Sequence, residues 1–247
     1  MSKNKLAKFA QMETFPNVFQ PASDGILGKE YELKGKWGDQ VFRNSNPIIL
    51  EVGCGKGEYT VGLACLYPDK NFIGIDIKGA RMWKGAKYAV ENKISNAIFV
   101  RTYAEMLESL FAQGEVAEIW ITFPDPQMSK VRKRLTGTRF LSIYKKILCP
   151  SGTIHLKTDS PFLYRYTCEL LKANHLQEIV NTDNLYECGL GDPPLSLKIV
   201  SIKTFYEQQW LSRGKQIKYI HFSLQGADTL YEPDVEIEKD DYKSTHH

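Results

Sequence analysis

From residue 48 onward, short apolar runs alternate with longer segments of helical period, and this alternation restricts the chain to few architectures. The runs are Ile48–Val52, Asn71–Asp76, Ala97–Val100, Glu118–Phe123 and Gly152–Lys157. Between them, Met82, Ala86, Ala89 and Val90 fall on one helical face, as do Phe140, Ile143, Tyr144, Ile147 and Leu148. Strands separated by helices cannot pair as hairpins; they pair in parallel through right-handed crossovers that cover both faces of a sheet. The expected fold is therefore α/β: a doubly wound, mostly parallel, Rossmann-like sheet. After a helix over 161–173 the pattern changes to a strand near 177–182, a loop with Asp192-Pro193-Pro194, a helix near 203–212, and the alternating run Ile217–Leu224. That last run reads as one antiparallel strand near the C-terminus.

The expected division is an N-terminal extension over 1–46, the α/β domain over 47–227 and an acidic tail over 228–247, expected to be disordered. The tail holds seven acids against two lysines, a net −5, so residues 1–227 carry +8 although the whole chain carries +3. A basic body suggests a polyanionic partner; the plain alternative is a solvated charged face. No run approaches a membrane span, and no apolar segment follows the lysines of the first residues, so a cytoplasmic protein is expected. With five cysteines lacking a C-x-x-C pair and five histidines lacking ligand spacing, no structural or catalytic metal is expected. Nothing in the sequence points to a protein partner.

The first turn follows strand 48–52 directly. Gly53, Gly55 and Gly57 give G-x-G-x-G, with Glu58 where the dinucleotide fingerprint G-x-G-x-x-G has its third glycine. Such glycines let backbone approach a ligand and aim free N–H groups at it. Glu51, on the strand entering the turn, would repel a phosphate and suits a cationic ligand. Asp76, ending the second strand, is placed to accept from a ribose diol. S-adenosylmethionine has a sulfonium, an ammonium and a ribose but no phosphate, and it fits this set.

The fourth strand stops at Pro124-Asp125-Pro126, followed by Lys130, Arg132, Lys133, Arg134 and Arg139. Asp125 can serve chemistry or cap a turn. Asp159 ends the fifth strand, where it can face a ligand or cap the helix at Ser160-Pro161. Thr204-Phe-Tyr-Glu207 fits a capping box. Tyr59 and His155 read as core.

With these residues together, the chain resembles the bacterial tRNA (guanine-N7)-methyltransferases, a class I S-adenosylmethionine-dependent family, from about Trp37 to Leu224. The resemblance runs through LEVGCGKG, FIGIDIK, FPDP with its basic block, LKTD at 156–159, and TFYE at 204–207 followed by Arg213-Gly214. It implies methyl transfer to N7 of a guanosine in the tRNA variable loop, position 46. It also implies cofactor contacts at Glu51, Gly53, Gly55, Asp76, Tyr103, Ala104 and Asp125, and substrate contacts at Lys130, Arg132, Asp159, Thr204 and Glu207. Asp125 and Asp159 are the catalytic candidates. The chain departs from the family at Gln127-Met128-Ser129, where a tryptophan usually follows P-D-P, and at Tyr103, where an Asp or Asn usually precedes Ala104. Lys130 then stands as the counterpart of the family's substrate lysine.

Guanine N7 has an in-plane lone pair and no proton, so the implied reaction needs positioning and charge stabilisation rather than a base. Other readings stay open on sequence alone: a class I methyltransferase for another RNA or a small molecule, a non-catalytic RNA-binding relative, and, more distantly, a nicotinamide dehydrogenase.

Overall fold

The computed structural model describes residues 3–22, 25, 28–187, 200–226 and 228–241; the Asp192-Pro193-Pro194 loop and Cys188 lie outside them. Helix α1 (Lys3–Met12) and the two-residue β1 (Val18–Phe19) precede β2 (Ile48–Val52), α2 (Glu58–Leu66), β3 (Asn71–Asp76), α3 (Gly79–Glu91) and β4 (Ala97–Arg101). Then come α4 (Leu107–Leu110), β5 (Val116–Thr122), α5 (Thr138–Ile147), β6 (Leu148–Thr158), α6 (Pro161–Ala173), β7 (Glu178–Thr182), α7 (Phe205–Ser212) and β8 (Lys218–Ser223). The strands form one eight-stranded sheet in the order β1-β4-β3-β2-β5-β6-β8-β7.

The expected parallel core is present, and β8 runs antiparallel to both neighbours. It lies between β6 and β7 rather than at the edge, and β1 extends the far edge by pairing with β4. Successive side chains of a strand point to opposite faces, and both faces here are packed. Leu50, Val52, Ile73, Ile75, Ile119 and Ile121 join one apolar cluster, whereas Ile49, Phe72, Phe99 and Trp120 join the other. Tyr59 and His155 are buried, as the core reading expected. His155 is sandwiched between Trp120 and His221, which face it across the β5-β6-β8 register.

The chain steps from β2 outward through β3 to β4, then returns to place β5 on the other side of β2. At such a reversal the loops leaving the two central strands diverge and open a crevice at their carboxyl ends. β2 ends at Val52 and β5 at Thr122, so the crevice lies between the glycine turn and Pro124-Asp125-Pro126.

The acidic tail is not a free segment over 228–241. Glu232 accepts from the Thr138 N–H and hydroxyl at the start of α5, and Asp240 accepts from the Phe162 N–H and the Ser160 hydroxyl at the start of α6. Leu230 and Ile237 pack on the core. The acidic composition reads as disorder, but Glu232 and Asp240 satisfy helix N-termini, where unpaired N–H groups and the helix dipole favour a carboxylate.

Candidate active site

A cleft of about 390 Å³ occupies the crevice, within the range typical of small-ligand sites. Glu51, Gly53, Gly55, Asp76, Asp125 and Thr204 all line it, together with Lys133, Tyr206 and Trp210.

Glu51 is an acid on a strand that is buried along its whole length. One carboxylate oxygen accepts from the Thr60 N–H at 2.8 Å and the Thr60 hydroxyl at 2.5 Å; the other accepts from the Thr122 hydroxyl at 2.6 Å. Burial nevertheless pushes its pKa up to about 7, against the lowering effect of those donors and with Asp76 adding repulsion. A cation in the cleft would favour its ionised form. Thr60 and Thr122 carry no sequence signal of this role; only their spacing from Glu51 on neighbouring elements creates it.

The glycine turn differs from expectation in one respect. Its N–H groups are directed to the protein: Gly53 and Cys54 donate to the Ile75 carbonyl, and Gly55 donates to Asp76 Oδ2 at 2.9 Å. Gly53 and Gly55 have φ of 82° and 55°, a left-handed conformation that glycine adopts without steric cost. At Gly57 a Cβ would fall 2.5 Å from Phe99, so close packing of α2 on β4 excludes any side chain. Donors used in this way leave no phosphate cradle at Gly53 and Gly55, and Asp76, held also by the Lys78 N–H at 2.7 Å, faces the cleft.

At the opposite wall the chain turns sharply after β5. Phe123 and Gln127 have positive φ, 50° and 48°, and Asp125 Oδ1 accepts from the Gln127 N–H at 3.1 Å. The turn-capping reading of Asp125 is thus realised by one oxygen, while Oδ2 makes no hydrogen bond among the described residues. The turn is fixed by Arg134, which donates to the carbonyls of Pro126, Gln127 and Met128 and stacks 3.8 Å from the Tyr166 ring. Arg134 is 2% exposed. It therefore leaves the basic block as a surface charge; Lys130, Arg132 and Lys133 are exposed, and Arg139 is directed to Glu105.

Asp159 is buried and does not itself line the cleft; it receives Lys215 Nζ at 3.1 Å, and that ammonium also stands over the ring of Trp210, which does line it. Burial raises its pKa, and Lys215 opposes that rise. Ser160, not Asp159, caps α6 by accepting from the Leu163 N–H, which leaves the aspartate without a capping role. Thr204 and Glu207 form the complete capping box at the start of α7. Glu207 is wholly buried: one oxygen serves the box, and the other receives Lys157 Nζ at 2.8 Å and the Tyr186 hydroxyl at 2.6 Å. It supports the wall that Thr204 presents. Tyr103 and Ala104 follow β4 on the same sheet edge, with Tyr103 exposed, but neither lines the cleft; nor do Lys130 and Arg132. Sequence reasoning missed Lys157, Tyr206, Trp210 and Lys215. The signal available was their position inside or just beyond the LKTD and TFYE segments.

The family model described as "Putative methyltransferase" matches residues 45–220. A tRNA (guanine-N(7)-)-methyltransferase of Porphyromonas gingivalis is 57% identical over 236 residues, covering 94% of this chain and 95% of the relative. The chain belongs to the tRNA (guanine-N7)-methyltransferase family. A second member, from Bacteroides thetaiotaomicron, is 52% identical over 99% of this chain and 95% of its own length. Among solved structures, the 16S rRNA methyltransferase KamB superposes with a TM-score of 0.56 at 13% identity, over 76% of this chain and 92% of its own. The 30S ribosomal A1408 methyltransferase from an uncultured bacterium gives 0.53 at 16% identity, over 82% and 94%. These two likenesses are of fold.

Proposed function

We propose that the protein transfers the methyl group of S-adenosylmethionine to N7 of a guanosine in the variable loop of tRNA, at position 46. The observation that carries this reading is the cleft itself, which gathers Glu51, Asp76 and Asp125 around a glycine turn whose donors at positions 53 to 55 already serve the protein. Glu58, Lys56, Lys78, Arg81 and Lys133 also line the cleft, so what disfavours a pyrophosphate, and with it the dehydrogenase reading, is the turn, whose N–H groups at 53 to 55 are already taken by the Ile75 carbonyl and Asp76. Near-full-length similarity to tRNA (guanine-N(7)-)-methyltransferases supports the same substrate class.

Glu51 and Asp76 would hold the cofactor, Glu51 on the cationic side and Asp76 at the ribose. When bound, S-adenosylmethionine supplies an electrophilic sulfonium methyl; the N7 lone pair forms the new bond as the S–C pair returns to sulfur. No residue of the chain need accept a proton. Asp125, fixed by Arg134, holds a carboxylate near the charge that moves onto the purine, and such preorganised charge is worth most where water is excluded. Asp159 accepts from the guanine N1–H and amino group, leaving N7 unencumbered. The base has to be unstacked to reach the cleft, which favours a loop nucleotide. Lys130, Arg132 and Lys133 supply exposed positive charge for the flanking phosphates.

The test is methylation of an unmodified tRNA followed by mass mapping. The expected product is 7-methylguanosine in the variable loop; a methyl on another atom, or none alongside an active control enzyme, overturns the reading. Asp125→Ala and Asp159→Ala are expected to lower turnover by about 100-fold, in line with loss of one preorganised charge. Wild-type rates in both would remove them from the mechanism.

A further inference from the structure

One ammonium group, that of Lys215, makes two contacts of different kinds. It donates to Asp159 Oδ2 at 3.1 Å and lies 4.3 Å from the centroid of the Trp210 ring. A buried carboxylate and an aromatic face thus converge on one cation. The Asp159 side chain is 2% exposed, whereas that of Lys215 is 42% exposed. The lysine is a cover on the acid, carried on a flexible four-carbon stem and preceded by Gly214 in the left-handed conformation. Trp210 stands at i+4 from Tyr206 on α7, and both line the cleft that holds Glu51, Asp76 and Asp125.

Guanine offers adjacent N1–H and amino donors on one edge and a π face, and N7 methylation makes its ring cationic. A carboxylate beside an indole matches both features. We infer that Asp159 and Trp210 form the guanine slot, Trp210 stacking on the base, and that the Lys215 ammonium occupies the place of the guanine donors until the base displaces it. This rests on the guanine-N7 reading and adds a specificity-determining residue and a covering residue to it.

Two consequences follow from the chemistry. Stacking on an indole holds a splayed base whatever its flanking sequence. As the ring becomes cationic, attraction to the negative face of the indole grows, so the contact is stronger in the transition state than in the ground state and contributes to turnover as well as binding. The lysine in turn supplies Asp159 with a counter-charge when no base is present.

The experiment compares Trp210→Leu, Trp210→Phe and Lys215→Met in the full chain. Equilibrium binding of 7-methylguanosine 5′-monophosphate and of guanosine 5′-monophosphate is measured by calorimetry without methyl donor, alongside tRNA methylation kinetics. The wild type is expected to prefer the methylated nucleotide by about tenfold. Trp210→Leu abolishes that preference and lowers kcat/KM for tRNA by about 5- to 100-fold with the KM for S-adenosylmethionine unchanged. Trp210→Phe keeps an aromatic face and retains a preference above about threefold, which also decides the matter should the leucine variant not fold. Lys215→Met binds 7-methylguanosine 5′-monophosphate at least about twofold more tightly, the gain expected when a closed state populated half of the time is removed. A phenylalanine variant without preference, a leucine variant that keeps it, or unchanged or weaker binding in Lys215→Met overturns the slot. A wild type that shows the nucleotide preference but does not methylate tRNA overturns the methylation reading alone.

Discussion

Glu51 accepts three hydrogen bonds, yet its pKa is pushed up to about 7, because burial outweighs the donors. The folded protein therefore holds a proton on Glu51 between the ordinary carboxyl value and about pH 7 that the unfolded chain does not hold. In that window the folded state binds more protons, so this residue's contribution favours folding at low pH and is lost as pH rises through about 7. Glu51→Gln removes the linkage. Relative to the wild type it is expected to gain about 1–3 kcal/mol in urea unfolding at pH 8, with the gain shrinking toward pH 4.5. Cofactor affinity runs the other way: in the wild type it rises through about pH 7 as the carboxylate ionises, and in the glutamine variant it is low and flat. A wild-type affinity that does not vary across pH 6–8 would separate Glu51 from the cationic end of the ligand.

At the scale of elements, α7 explains how motif residues can be legible in sequence while their work is not. Thr204-Phe-Tyr-Glu207 reads as a capping box and forms one, but the partners of Glu207 come from distant segments, Lys157 on β6 and Tyr186 beyond β7. No local pattern encodes that pairing. The same holds for Arg134, which reads as one charge in a basic run and proves to be the residue that fixes the Asp125 turn. The parallel strands were legible because an apolar run buried on both faces has a distinct appearance. The two-residue β1 was not, since Val18-Phe19 is too short to show a period. Burial pulls the Lys157 pKa down, and Glu207 opposes this. Glu207→Ala leaves the ammonium buried without its counter-charge and is expected to cost about 3–5 kcal/mol in chemical denaturation. The double variant Lys157→Met with Glu207→Leu should recover the part of that loss due to the unpaired charge, while the capping-box bond to the Thr204 N–H and the Tyr186 hydrogen bond stay lost. If the double variant is as unstable as the single one, packing around α7 rather than charge pairing sets the cost.

For the whole molecule, the question is what a segment of net −5 does on a body of net +8. A segment that competed with tRNA for the basic face would have its acids on Lys130, Arg132 and Lys133. Instead Glu232 and Asp240 cap the starts of α5 and α6, and Glu232 also accepts from the Tyr166 hydroxyl at 2.5 Å. Tyr166 lies under the Arg134 guanidinium, and Arg134 holds the Pro126 carbonyl, so the tail is linked to the Asp125 turn through two side chains. Removing residues 228–247 therefore has three expected effects. Unfolding stability falls by about 3–5 kcal/mol, from two lost caps and the exposed apolar surface of Leu230 and Ile237. Affinity for tRNA rises at low salt, because the remaining chain carries more positive charge, and the difference closes as the Debye length shrinks to about 3 Å at 1 M salt. Turnover falls while the KM for S-adenosylmethionine holds, because the Asp125 turn loses support and Glu51 and Asp76 do not. Steady-state kinetics distinguish this from an inhibitory tail, whose removal would raise turnover; that rise would mean the contacts of Glu232 and Asp240 hold the tail in the way of substrate rather than hold the site together.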